Sequence, residues 1–363
     1  MSLIRKPHLF AAAVGLLPIG GVHAQSSVTV YGLMDMGLEY ANHQSAGGHV
    51  TRLTSGNLSG SRWGLRGTED LGGGQKAVFV IESGFDPDTG NSGQGGRLFG
   101  RMAYVGLQGP WGAFTAGRQQ SMIFDLGGRF DAMALAPRYS IINQDTAFVA
   151  RYDNSLKYAG SFGAVNLGAI YSTGTESKTA DGSEVPGHSR LGRAYGFRVD
   201  TKIGPAGLGT AYDEVNSGTL TVNPGATARR AIAAMTYQFG AVTAYAGYRW
   251  ARISHGATLS GAPAGSPGSN LWWTGARWQA TPALTLAVAA YYQDFKKTSR
   301  DPWLFVAMGD YALSKRTDVY LSVGYTKNKD DSNLGLGAGG GGFGSTTPGS
   351  NQAGITVGLR HKF

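Results

Sequence analysis

Apolar and polar residues alternate along most of the chain with a period of two. From residue 28 to 40 the even positions carry Val28, Val30, Gly32, Met34, Met36, Leu38 and Tyr40, and the odd positions carry Thr29, Tyr31, Leu33, Asp35, Gly37 and Glu39. The pattern returns at Val242, Ala244, Ala246, Tyr248 and Trp250 against Thr243, Tyr245 and Arg249. It recurs at Val319, Leu321, Val323 and Tyr325 against Asp318, Tyr320, Ser322 and Thr326, and at Ile355, Val357, Leu359 and Phe363 against Thr356, Arg360 and Lys362. Such segments are strands with one oily face. A soluble sandwich would show the same alternation, because it too buries one face.

The connections discriminate between the two. Tight ones are expected at 70–74, 108–112, 161–164, 204–206, 240–241, 280–283 and 314–316. Between them fall long ones at 41–59, 86–97, 119–145, 172–193, 215–228, 252–270, 296–302 and 328–351. Strict alternation of tight and long describes an antiparallel meander with every tight turn at one end. The intervening segments give an all-β fold of 16 strands, the asymmetry of an outer-membrane barrel. In a bilayer such a sheet must close, because an open edge would leave backbone groups unsatisfied in hydrocarbon. A propeller or solenoid would need self-similar units, and none is visible.

Composition agrees with a lipid-facing exterior. Charged residues make up 15% of the 363, aromatics 11%, and glycine contributes 58 residues, whereas a soluble protein carries about 25% charge. With no cysteine, a disulfide framework, a cysteine-ligated zinc and thiol catalysis are excluded. At the N-terminus, Arg5 and Lys6 precede the apolar run 9–17 and the small-residue site Val22-His23-Ala24, the form of a signal peptide over 1–24 with cleavage after Ala24. Residues 25–363 then form a single barrel domain with 30 basic and 23 acidic side chains, net +7.

If the apolar parity faces lipid, the other parity lines an aqueous lumen, since a barrel of this size is too wide for side chains to fill. Arg62, Arg66, Arg198, Lys202, Arg249 and Arg277 fall on the inner parity. By the same rule Arg101, Arg151, Lys157 and Arg230 are interior candidates. Fewer acids share that face: Asp35, Glu39, Asp153, Asp200 and Asp318. An inner excess of positive charge solvated by lumen water predicts a mild preference for anions. Segment 119–145 is far more apolar than the other long loops. It is expected to fold into the lumen, with Asp125 and Asp131 facing the arginine wall; an outer lid or an intersubunit arm is the alternative.

Several stretches resemble the Gram-negative general porins, particularly the β-proteobacterial branch of these trimeric 16-stranded proteins. They are Ser27-Val-Thr-Val-Tyr-Gly-Leu-Met-Asp, Ser61-Arg-Trp-Gly-Leu-Arg-Gly-Thr-Glu-Asp-Leu-Gly-Gly-Gly, Leu98-Phe-Gly-Arg-Met-Ala-Tyr-Val-Gly-Leu, Trp111-Gly-Ala-Phe-Thr-Ala-Gly-Arg-Gln, Arg151-Tyr-Asp-Asn-Ser-Leu-Lys-Tyr and Val357-Gly-Leu-Arg-His-Lys-Phe. The resemblance implies a homotrimeric diffusion pore in the outer membrane whose third loop bends inward. It further implies Arg62, Arg101 and Arg151 as the constriction wall and Asp125 and Asp131 as loop acids. Phe363 resembles the signal read by the outer-membrane assembly machinery. Arg118 resembles the arginine of a family Gly-Arg-Gln element at the end of the strand before that third loop, which implies a structural rather than a pore-lining part. The family loop usually carries a Pro-Glu-Phe-Gly-Gly or Asp-Pro-Phe-Gly element, and Phe130-Asp-Ala-Met stands here instead.

No metal, cofactor or nucleic-acid site is expected. The histidines outside the leader, His43, His49, His188, His255 and His361, lack ligand spacing. Gly335-Leu-Gly-Ala-Gly-Gly matches a nucleotide string without strand-to-helix context. The basic residues are dispersed over strands rather than clustered. The alternatives are a surface adhesin or receptor and, behind it, a barrel hydrolase; the sequence has no Gly-x-Ser-x-Gly element or clear Ser, His and Asp grouping, which leaves for the hydrolase a site assembled from separate strands. An adhesin or receptor would be read from the long loops, which are short of aromatic anchors. The expected activity is passive diffusion of small hydrophilic solutes and ions through a channel that contacts outer-membrane lipids and lipopolysaccharide.

Overall fold

A computed structural model describes residues 26–175, 184–221, 223–259, 261–337 and 345–363. The expected signal peptide and its cleavage after Ala24 lie outside these residues, as does part of the 335–344 glycine tract. The barrel strands are β1 (Ser27–Ala41), β2 in two pieces (Val50–Ser55 and Arg62–Gly72), β3 (Gln75–Asp86), β4 (Met102–Gly109), β5 (Gly112–Gln120), β6 (Arg151–Phe162), β7 (Val165–Ser172) and β8 (Ala194–Ile203). They continue as β9 (Ala206–Asn216), β10 (Thr227–Phe239), β11 (Val242–Ser254), β12 (Gly268–Gln279), β13 (Leu284–Phe295), β14 (Trp303–Ala312), β15 (Thr317–Lys327) and β16 (Gln352–Lys362). Both pieces of β2 pair with β1, Val50–Ser55 along its second half and 62–68 along its first, so they form one interrupted strand.

Each strand pairs antiparallel with its neighbours, and β1 pairs with β16 from Leu33↔Lys362 to Ala41↔Gly354, closing the 16-stranded barrel. The main-chain groups of Gly32 and Phe363 exchange hydrogen bonds of 3.1 and 3.0 Å and extend that seam to the last residue. Closure leaves no strand edge in hydrocarbon, where unmet backbone groups are costly.

The tight turns all lie at one end. Those at 203–206 and 239–242 open on Gly204 and Gly240 with φ of +56° and +57°, the positive φ that primed hairpin turns require. Along β15 and β16 the alternation resolves as the sequence implies: Leu321, Val323, Val357 and Leu359 are exposed on the outside, and Asp318, Ser322 and Thr356 are buried on the inside. Towards the long-loop end, Tyr248, Trp272, Tyr292, Trp303 and Phe305 form a continuous outward row across β11–β14, with ring centroids 5.4, 5.8, 4.5 and 5.6 Å apart. Amphipathic rings of this kind collect where hydrocarbon meets headgroups.

Candidate functional site

The connection between β5 and β6 turns into the lumen. It opens with a helix, Met122–Phe130, capped by Ser121, whose Oγ accepts a 3.1 Å bond from the Phe124 amide. Met122, Ile123, Leu126 and Phe130 lie on one face and are buried, the 3.6-residue period of an amphipathic helix. The wall makes room by omitting side chains. A Cβ on Gly209 would stand 2.6 Å from the Phe130 ring and 2.7 Å from Leu126, and one on Gly168 would meet the Met122 sulfur at 2.8 Å. Trp273 Nε1 donates to the Phe130 carbonyl at 2.8 Å and fixes the helix end on β12.

The rest of the connection is tied down by polar side chains. Asp131 accepts from Tyr291 Oη at 2.5 Å and from the Leu135 amide at 2.9 Å. Its burial pushes the carboxyl above the usual carboxylate range, and the Tyr291 hydroxyl pulls it partly back. Tyr139 Oη donates to Glu39 at 3.0 Å, and Arg138 and Arg52 each reach the same carboxylate at 3.2 Å. Asp145 stands 3.0 Å from Arg249 Nε and 3.7 Å from Arg230 Nε. Arg230 also meets Asp213 at 3.3 Å, and Asp213 accepts from Tyr152 at 2.9 Å.

These contacts fasten the loop to the β7–β16 side and to β1, and leave open space on the β2–β6 side. A cavity of about 630 Å³ lies there, bordered by Arg101 and Arg151 on the wall and by Pro137, Arg138, Ile142 and Val149 on the loop. Arg101 Nε is 2.6 Å from Glu82, which also accepts from Tyr31 at 3.0 Å. Arg62 lies in the field of Arg101, Glu82 and Arg360. Arg151 donates to the Val149 carbonyl at 3.2 Å, with its guanidinium 5.1 Å over the Phe124 ring. Among the described residues no carboxylate comes within 4.0 Å of Arg62 or Arg151.

Two expectations from the sequence are corrected. Asp125 and Asp131 do not face the arginine wall as a free acidic rim. Asp125 is 2.7 Å from Lys157 and 3.9 Å from Arg198 at the near wall, and Asp131 is 3% exposed, beneath the loop. The inner basic residues are also not uniformly solvated by lumen water. Arg66, Lys202 and Arg277 have no carboxylate within 4.0 Å among the described residues, and Arg66 lies 5.4 Å over the Tyr31 ring. Lys157, Arg198, Arg230 and Arg249 are ion-paired. Arg249 is fully buried between loop and wall. The physical reason is that an unpaired charge beneath a docked loop loses its water and requires a counter-charge.

Glu82, Asp145 and Asp213 escaped the sequence reading. The signal for Glu82 is a lone carboxylate closing the apolar run 77–81; its parity matches that of Arg62. Asp153 receives Arg118 at 2.6 Å and Arg97 at 2.8 Å, which accounts for the structural part expected of Arg118.

A family described as Gram-negative porin matches residues 11–331. The chain is 31% identical to outer membrane porin protein 32 of Delftia acidovorans across 99% of this chain and all of that one. It is 34% identical to an outer membrane porin protein of Bordetella pertussis over 58% of this chain and 60% of that one. Among solved structures it superposes on an anion-selective porin from Comamonas acidovorans with a TM-score of 0.78 and 27% identity, covering 93% of this chain and 100% of the other. OmpT of Vibrio cholerae, at 14% identity and a TM-score of 0.66, covering 93% of this chain and 99% of that one, shares the fold. A closed 16-stranded barrel, an in-folded loop and a cavity beside it thus come with full-length relatives that are channels. The chain belongs to the Gram-negative porin family and is a passive channel of the outer membrane.

Proposed function

We propose that the passage is mildly anion-selective and that Arg62, Arg101 and Arg151 are its constriction wall. The observation that carries this is the lack of any carboxylate within 4.0 Å of Arg62 and Arg151 among the described residues, so their charge is uncompensated at short range. Low-dielectric walls focus such a field and raise the local anion concentration. Arg101 contributes less, because Glu82 offsets it. Arg66, Lys202 and Arg277 extend the basic lining. Asp125 is held by Lys157 and Arg198 and so weighs little against it. The anion-selective porin from Comamonas acidovorans, alike over nearly the whole chain, supports the same sign.

The proposal extends to a homotrimer in the outer membrane, exported by residues 1–24, surrounded by lipids and lipopolysaccharide, and recognised by the assembly machinery through Phe363. Planar-bilayer recording under a salt gradient tests the selectivity. The parent is expected to give a zero-current potential of anion-selective sign, and the triple variant Arg62→Ser, Arg101→Ser, Arg151→Ser a value moved towards zero with larger steps. An unchanged potential in the triple variant sinks the wall assignment. Closures in thirds would carry the trimer.

A further inference from the structure

On the outside of the barrel, just beyond the aromatic row, a group of charges interrupts the lipid-facing parity. Arg193, Glu214, Arg229 and Arg252 stand side by side at the long-loop ends of β8–β11. Glu214 pairs across with Tyr195 and Arg229, and Arg229 with Arg252. Their outward direction follows from the alternation, because the adjacent Asp213, Arg230 and Ala251 belong to the inner face. With strands about 4.8 Å apart, the row spans roughly 15 Å.

Three cations share one carboxylate in this row. Arg229 Nε donates to Glu214 at 2.7 Å, and Arg193 comes to 4.0 Å of the same residue. Arg252 has no carboxylate within 4.0 Å among the described residues; it donates to the Ala251 carbonyl at 2.7 Å and to Asn270 Oδ1 at 3.4 Å. Arg193 and Arg252 are braced over rings, at 5.7 Å from Tyr195 and 5.2 Å from Trp250. Phe197 and Tyr212 stack below at 5.5 Å, and the row from Tyr248 to Phe305 continues the ring level around the wall. Guanidinium groups directly above interfacial rings stand at headgroup height. On the outer parity they cannot touch a solute in the lumen, so pore electrostatics does not explain them.

We propose that Arg193, Arg229 and Arg252 form a docking site for a phosphate-bearing lipid headgroup of the outer leaflet. Guanidinium forks match phosphate oxygens bidentately, and the surplus of cations over the single carboxylate suits a phosphate anion. Glu214 orients two of the forks. The assignment rests on the outer-membrane reading.

The test uses the folded full chain in detergent, titrated with diphosphorylated lipid A and with its phosphatase-treated form. The parent is expected to prefer the phosphorylated form. Arg229→Gln with Arg252→Gln should weaken that binding roughly tenfold, the order lost with a hydrogen bond to a charged group, and leave the dephosphorylated form unaffected. Equal affinity of parent and variant for the phosphorylated form overturns the site. Displacement of the lipid by inorganic phosphate alone overturns the lipid assignment in favour of a free anion. Conductance recorded on the same samples separates this outcome from the channel reading: parent and variant should conduct alike, and a parent that binds lipid A without conducting would count against the channel instead.

Discussion

Arg62 and Arg101 bring the same guanidinium to the same side of the lumen but differ in their company. Arg101 is held at 2.6 Å by Glu82, whose side chain is 3% exposed, and Arg62 has no such partner among the described residues. Removing Arg101 therefore does two things, because it also leaves a buried carboxylate with only Tyr31 for support. Arg101→Ser alone should cost about 3 kcal/mol, the scale of breaking a buried pair, read as a lower temperature of conversion from the folded to the unfolded gel band. Arg101→Ser with Glu82→Gln should recover most of that loss, and a double variant no more stable than the single one would refute the coupling. The inner parity of both arginines was legible in the alternation. Which of them is compensated was not, because the partner sits on another strand and only register brings it close.

At the scale of the element, the in-folded loop shows where local reading stops. Its apolar character distinguished it from the other long connections, and an excursion into the lumen followed. The sites of docking did not, since Gly168, Gly209 and Trp273 lie on three separate strands and become one surface only when the sheet curls. Asp131 was misplaced for the same reason, because its partner Tyr291 is 160 residues away. Its raised carboxyl makes the anchor pH-dependent. The folded state holds the proton more tightly than the unfolded one, so this contribution is full below the ordinary aspartate value and is lost as pH rises through the raised one. Heat stability followed from about pH 4 to 8 should therefore fall less with rising pH in Asp131→Asn than in the parent, and parallel curves would remove Asp131 from the account.

For the whole molecule, the two parities do separate work and tolerate different chemistry. Val323 on β15 is 39% exposed on the outer face, and its neighbour Ser322 is buried inside. Val323→Arg should destabilise the barrel by about 2 to 4 kcal/mol if it lies near the bilayer midplane, measured by equilibrium unfolding in lipid vesicles. A cost near zero would mean that this stretch of β15 does not meet hydrocarbon. The strand count and the placing of tight and long connections were readable because periodicity and turn chemistry are local. The identity of the strand that closes the sheet was inferred only from the need to close.

That seam has a consequence in time. The ladder from Leu33↔Lys362 to Ala41↔Gly354 joins the first strand to the last, and the Gly32–Phe363 bonds finish it at the final residue. A chain arrested anywhere before residue 352 has no β16 to offer β1, and both of its edges remain bare. Unfinished copies are therefore barred from hydrocarbon by their own geometry. Admission to the membrane thus waits on Gln352–Lys362, the strand that completes the closed sheet.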